Sequence, residues 1–177
     1  MKLIVAVDAQ NVIGWSGDLS IPWSIPEDMR RFAELTKSGD DPTVVMGRKT
    51  WLSLPQKYRP LPGRKNYVLT RDLDFATSLI PTGAVPAMCG LESIPSHAWL
   101  IGGAQLYDEA LDKGLVTELY ITKVHRSSGA DVRLKHDLYS WKLFAIRELA
   151  KGRFWVLKDI QALEQAGVTF LTLKRTL

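Results

Sequence analysis

Short apolar runs alternating with helical patterns constrain this chain more than any other feature. Leu3–Val7, Thr43–Met46, Asn66–Thr70, Ala98–Ile101 and Thr117–Val124 read as strands. Ile25–Lys37, Arg48–Leu54 and Ala104–Leu111 carry helical spacing, and Gly39 is placed to end the first of them. Strand–helix–strand alternation of this kind predicts an α/β domain, with flanking helices around a central, mostly parallel sheet. The end of the chain reads differently. Lys142–Leu149, Arg153–Lys158 and Val168–Lys174 are strand-like, and Lys151-Gly152 reads as a tight turn. Antiparallel strands are therefore expected to close one edge. Ile160, Leu163 and Ala166 have the spacing of a helical turn within the last hairpin loop. No repeat, low-complexity tract or linker divides the 177 residues, so a single domain over 1–177 is expected.

Composition excludes several classes. The apolar share of 46% and charged share of 24% are those of an ordinary globule. No run approaches the ~18–20 apolar residues of a membrane span. Met1-Lys2 leads straight into Leu3–Val7, so no leader or anchor is expected. The lone Cys89 excludes an intrachain disulfide and fits a reducing compartment, which predicts a cytoplasmic protein. With no histidine near it in sequence, Cys89 reads as a small core or loop residue and not a nucleophile. His97, His125 and His136 lack metal-ligand spacing, so no metal site is expected. No membrane partner is expected, and a monomer is.

Charge is uneven. Between Arg48 and Arg71 stand seven basic residues (Arg48, Lys49, Lys57, Arg59, Arg64, Lys65, Arg71) and no acid, while the whole chain is net +4, so the remainder is net acidic. That asymmetry suggests an anion-binding surface. The stretch lacks a helix-turn-helix, zinc or RNP pattern, and Trp51, Tyr58 and Tyr67 are not regularly interleaved with it. A small ligand carrying phosphates and carboxylates suits it better than nucleic acid. A merely solvated basic face remains the plain alternative.

One acid sits where a helix should be apolar. Ser24 and Glu27 have capping-box spacing, and Pro26 is tolerated in a first turn. The inward stripe from that start is Ile25, Asp28, Met29, Phe32, Leu35 and Thr36, and Trp23 precedes the cap. A carboxylate facing a core is costly unless a polar group meets it. The partner is a ligand, or, more plainly, Asp28 is a first-turn acid favoured by the helix dipole with Arg31 beside it.

Three strand ends deliver turns suited to ligands. Val44-Val45-Met46-Gly47-Arg48-Lys49-Thr50-Trp51 runs from a buried strand through glycine into a helix start, where free N–H groups favour anions. Trp99-Leu100-Ile101-Gly102-Gly103-Ala104-Gln105-Leu106-Tyr107 does the same with a glycine pair, which lets backbone approach a pyrophosphate closely. Leu69-Thr70-Arg71 ends a strand in a hydroxyl and a guanidinium. The Pro/Gly-rich Pro55–Gly63 stretch reads as a binding loop.

In order and spacing these segments resemble the dihydrofolate reductase family. The matching runs are Asn11-Val12-Ile13-Gly14, Ile21-Pro22-Trp23 with Pro26, Asp28 and Phe32, and Met46-Gly47-Arg48-Lys49-Thr50-Trp51. Further on come Arg59-Pro60-Leu61-Pro62-Gly63-Arg64-Lys65-Asn66, Ile101-Gly102-Gly103-Ala104 and Tyr120-Ile121-Thr122. The resemblance runs from Met1 to about Val124, then more loosely through the C-terminal hairpin.

The resemblance implies an NADPH-dependent reduction of 7,8-dihydrofolate to 5,6,7,8-tetrahydrofolate by hydride transfer, feeding one-carbon and thymidylate metabolism, in an enzyme open to antifolate inhibitors. It implies catalytic roles for Asp28, Trp23 and Thr122, with Asp28 bonding the pterin 2-amino group and neighbouring nitrogen, and Thr122 bonding Asp28. Val5, Ala6, Ile21, Met29, Phe32, Ser53, Leu54, Leu61, Ile101 and Tyr107 would also contact substrate, and Arg64 would hold its glutamate carboxylate. Cofactor contacts would come from Ala6, Ile13, Gly14, Leu19, Gly47, Thr50 and Leu69 and from Ile101, Gly102, Gly103, Ala104, Gln105, Leu106 and Tyr107. Arg48, Lys49, Thr70 and Arg71 would take the adenosine end, where an extra 2′-phosphate favours NADPH over NADH. Asp28 is the ionisable side chain placed near the pterin. Burial would raise its pKa and hydrogen bonds would lower it, so the net direction stays open. It is expected to promote protonation through a water or a substrate tautomer.

The chain departs from the family pattern in three places. Gly14–Ile21, matching the family's mobile loop, is about two residues longer than the usual bacterial form. Gly129-Ala130-Asp131-Val132-Arg133-Leu134 shifts an acid by one position, which leaves contacts between these two loops open. Ala104 follows Gly103 where many members have a further glycine. Two other readings stand beside this one: a same-fold reductase acting on a ribosylaminopyrimidine, and a non-catalytic nucleotide or RNA binder using residues 48–71.

Overall fold

Leu3, Val5 and Val7 belong to one buried apolar cluster and Ile4 to another, on opposite sides of a central strand. A strand covered on both faces needs no polar alternation, which explains its continuous apolar run. The structure is a computed structural model describing residues 1–176. The central strand, β1 (Lys2–Asp8), lies among eight. A short β2 (Val12–Gly14) stands apart.

Next along the chain come α1 (Pro26–Thr36), β3 (Thr43–Gly47), α2 (Arg48–Ser53), β4 (Lys65–Leu69), α3 (Leu73–Leu79), β5 (Val85–Ala87) and β6 (Trp99–Leu100). After them come α4 (Ala104–Asp112), β7 (Glu118–Val124), β8 (Val132–Arg133), α5 (Trp141–Leu149), β9 (Phe154–Leu163) and β10 (Val168–Thr176). The sheet order is β5-β4-β3-β6-β1-β7-β10-β9. β5 to β7 run parallel, whereas β10 is antiparallel to both β7 and β9. The expected sheet, mostly parallel with an antiparallel C-terminal edge, is therefore present.

Three readings need correction. Residues 142–149 form a helix, α5, and not a strand. Phe144 and Glu148, four residues apart, face the core, and Glu148 accepts hydrogen bonds from Lys151 Nζ at 2.7 Å and Arg153 Nη1 at 3.1 Å. Leu143, Ile146 and Leu149 are exposed, so the apolar pattern was not a burial pattern. Lys151-Gly152 thus joins a helix to a strand. The capping box does not form either: Ile25 holds the N-cap position without a side-chain bond, and Pro26 opens the helix. Ile160 and Leu163 lie in β9, and only Glu164–Ala166 makes the helical turn. The sequence reading also missed α3, β5 and the small β2–β8 sheet.

Candidate active site

β3, β4 and β6 all end at one side of the sheet, and their C-terminal turns line a single cleft of about 1090 Å³. Ligand sites of open α/β sheets lie at such strand ends. At one arm Gly47 N donates to Gly102 O at 2.8 Å, tying the β3 turn to the β6 turn. A Cβ at Gly102 would stand 2.8 Å from Thr50 Oγ1, and its φ of +139° also suits glycine alone. The Gly102–Gly103 peptide is cis. Gly103 caps α4, whose first residues, Ala104 to Tyr107, line the cleft. Around this glycine cradle stand Arg48, Lys49, Thr70 and Arg71. Arg48 pairs with Asp72 and lies 4.6 Å from the Phe75 ring centroid, and Asp72 also caps α3 through Phe75 N. A backbone stripped of side chains and flanked by cations fits a phosphate-bearing ligand.

Asp28 stands at the other arm. Thr122, buried on β7, donates its hydroxyl at 2.6 Å to Oδ1 of Asp28, which stands in the first turn of α1. Burial pushes the Asp28 carboxyl above the ordinary carboxylate range, against the Thr122 hydrogen bond and the Arg31 charge, which pull it down. Trp23 is buried, and its Nε1 has no hydrogen-bond partner among the described residues. Across the floor, the buried Tyr107 hydroxyl donates to Ile4 O at 2.7 Å, and burial raises its pKa, keeping it neutral.

Most of the residues expected here do line the cleft, from Val5, Ala6, Ile13, Gly14, Leu19 and Ile21 through Met29, Phe32, Ser53, Leu54 and Leu69 to Ile101 and Gln105. Met29 is 58% exposed and faces this opening, which explains an apolar side chain outside the core. Thr122, Leu61 and Arg64 stand behind it. Leu61 packs with Trp51 and Met46 in the cluster that Phe32 and Leu54 cover. Arg64 donates to Thr36 Oγ1 at 2.7 Å and Pro62 O at 3.2 Å, with its guanidinium 5.7 Å from the Phe32 ring centroid. Two of its five N–H groups are used this way, so its orientation is fixed while further donors remain.

Several lining residues escaped the sequence reading, namely Ile4, Asp72, Ala87, Met88, Gly90, Glu109 and Lys113, while Trp15, Ser16, Ser20 and Val132 lie in the two loops it singled out without giving them a role. Ala87 ends β5 and Met88–Gly90 follow it, and Pro86 hid the strand. Cys89 belongs to the same lining and is exposed, in a loop and not in the core. Over the cleft's rim, Ser16 donates from both its N–H and its hydroxyl to Asp131. The displaced acid therefore still joins the two loops. No cluster of metal-ligating side chains occurs among the described residues.

A family model described as dihydrofolate reductase matches residues 1–154. A dihydrofolate reductase of Candida albicans is 32% identical over 160 residues, 84% of this chain and 82% of its own. Another, from Mycobacterium tuberculosis, is 48% identical over 110 residues, 62% of this chain and 63% of its own. Among solved structures, a dihydrofolate reductase from Enterococcus faecalis, complexed with NADP(H) and RAB-propyl, superposes with a TM-score of 0.71. That match covers 99% of this chain and 96% of the other at 24% identity, which is a likeness of fold.

Proposed function

The chain belongs to the dihydrofolate reductase family, and we propose that it reduces 7,8-dihydrofolate to 5,6,7,8-tetrahydrofolate with NADPH. The observation that carries this reading is a carboxyl-bearing pocket, Asp28 backed by Thr122, opening into the same cleft as the Gly47/Gly102–Gly103 cradle and its cations. One cleft thus has a place for a pterin and a place for a phosphate-bearing cofactor.

When bound, NADPH supplies the hydride. The chain's own residues do the rest. Gly102 and Gly103 would admit the pyrophosphate, and Arg48, Lys49, Thr70 and Arg71 would hold the adenosine end. A 2′-phosphate there would have to displace Asp72 from the Arg48 guanidinium, and the surplus of Arg48, Lys49 and Arg71 over that single acid is what supports NADPH over NADH. Asp28 would accept from the pterin amino and ring N–H groups while Thr122 fixes its rotamer. The upward shift of its carboxyl supports a part in protonating the imine nitrogen, through a water or a substrate tautomer. Trp23, Phe32, Leu54 and Ile101 would exclude water and align the rings, and Arg64, pre-set by Thr36, would take the glutamate carboxylate.

Residues 1–177 are read as one domain, a reading supported by β10 lying between β7 and β9. A cytoplasmic monomer is part of the proposal. No described helix is long and apolar enough to cross a membrane. Oxidation of NADPH that requires dihydrofolate, and is far slower with NADH, is the expected result. NADPH binding without dihydrofolate-dependent oxidation would leave a binding protein and refute the reading.

A further inference from the structure

α1 crosses β7 and β10, and their register sets out two neighbouring rungs beneath it: Thr122 opposite Phe170, and Tyr120 opposite Thr172. Asp28 meets the first rung through the Thr122 hydroxyl. Arg31, one helical turn on, lies 4.7 Å from the Phe170 ring centroid and 5.7 Å from that of Tyr120. Its Nη2 stands 3.4 Å from both Leu171 O and Thr172 Oγ1, at the long limit of hydrogen bonding. Its Nη1 is buried with no hydrogen-bond partner among the described residues.

As a tie between helix and sheet this is a poor arrangement. A methionine over Phe170 would pack there without stranding a buried donor. What methionine would lack is charge. We propose that Arg31 is a positioning residue of this site, its half-buried guanidinium serving as the counter-charge to the Asp28 carboxylate.

The charged and titratable groups around the pair bear this out. On β7 are the Thr122 hydroxyl and Tyr120, whose phenol donates to Glu118 Oε2 at 2.7 Å. On β9 is Asp159 and on α4 is Tyr107, the one acting on Arg31 and the other coupled to Asp28. Asp28, Asp159 and Tyr120 all favour a charged Arg31. Arg31 follows Asp28 by one helical turn and makes no direct ion pair with it, so its charge favours the ionised carboxylate from a distance while burial opposes it. Burial pushes the Asp28 carboxyl up, and the Thr122 hydrogen bond, with the Arg31 charge behind it, sets how far that push goes.

The kinetic consequence rests on the function proposed above, and the direct consequence does not. In protein carrying ¹³C-carboxyl aspartate, the Asp28 signal is identified by its loss in Asp28→Asn and titrated without ligands. Arg31→Gln and Arg31→Met should move its midpoint measurably upward. Arg31→Lys, which keeps the charge, should hold it near the wild-type value. The alkaline fall in turnover should move with the carboxyl. Unchanged midpoints in both neutral variants would overturn the proposal. Failure of both to fold would make Arg31 a structural tie and overturn it equally. A midpoint that moves while the turnover profile stays put would sustain Arg31 as counter-charge and refute the protonation role given to Asp28.

Discussion

Asp28→Asn separates stability from turnover, because burial disfavours the charge that the reaction uses. A carboxyl raised in the folded state stabilises fully below its unfolded pKa of about 3.9, and that contribution is lost as pH rises through the folded value. Asp28→Asn should therefore melt at a higher temperature than wild type at neutral pH, and scanning calorimetry should show the gap closing in acid. Arg64 is the other residue-scale test. A guanidinium pre-set by Thr36 and Pro62 cannot be imitated by an ammonium point charge. Arg64→Lys should raise KM for dihydrofolate by about 1.5–3 kcal/mol, the range for charged hydrogen bonds, and leave that for NADPH unchanged. Small diaminopyrimidines, lacking the glutamate tail, should bind both forms alike, and equal weakening would remove Arg64 from the tail site. Asp28 was legible in the sequence as an acid on an apolar stripe. Its pairing with Thr122 spans 94 positions and came only through the family resemblance. The role of Ser24 was misread, because Pro26 and the extended Ile25 start the helix without a side-chain cap.

At the scale of elements, α5 shows why local pattern failed. Its apolar residues at 143, 146 and 149 face outward, while the residues buried inward are Phe144 and the acid Glu148. Burial alone would raise the Glu148 carboxyl, but hydrogen bonds from Lys151 and Arg153, and their charges, bring it below the usual value. Its stabilising effect is present above the unfolded glutamate pKa and is lost as pH falls through the folded one. Lys151 and Arg153 are partly exposed, so losing Glu148 costs hydrogen bonds to a charged group, about 1.5–3 kcal/mol, without stranding a buried charge. Glu148→Ala should lower stability by that order in denaturant titrations at neutral pH, with the deficit shrinking in acid. The Ser16–Asp131 contact makes a second element-scale case. Asp131→Ala should free the 15–20 loop at the rim of the cleft and speed NADPH release in stopped-flow chase. An unchanged release rate would show that the loop does not retain cofactor.

For the molecule as a whole, the parallel sheet was readable because strands buried on both faces are apolar throughout, as Leu3–Val7 and Val44–Met46 are. β5 was not, since Pro86 interrupts it at the sheet edge, nor was the two-residue β8, which is too short to carry a period. The cleft was legible at its strand-end glycines and cations. Its far wall after β5 was not, and Arg31, read beside Asp28 as a surface partner, is instead packed against Tyr120 and Phe170 of distant strands. The account rests on Asp28 acting in the hydride-transfer step from inside a cleft that also holds the cofactor. Single-turnover oxidation of NADPH by dihydrofolate in Asp28→Asn, with NADPH affinity measured on the same protein, tests that most directly. The account predicts unchanged NADPH affinity and a rate at neutral pH at least about a hundredfold lower, near 2.7 kcal/mol in barrier, that partly recovers on acidification. A rate equal to wild type at neutral pH would contradict it.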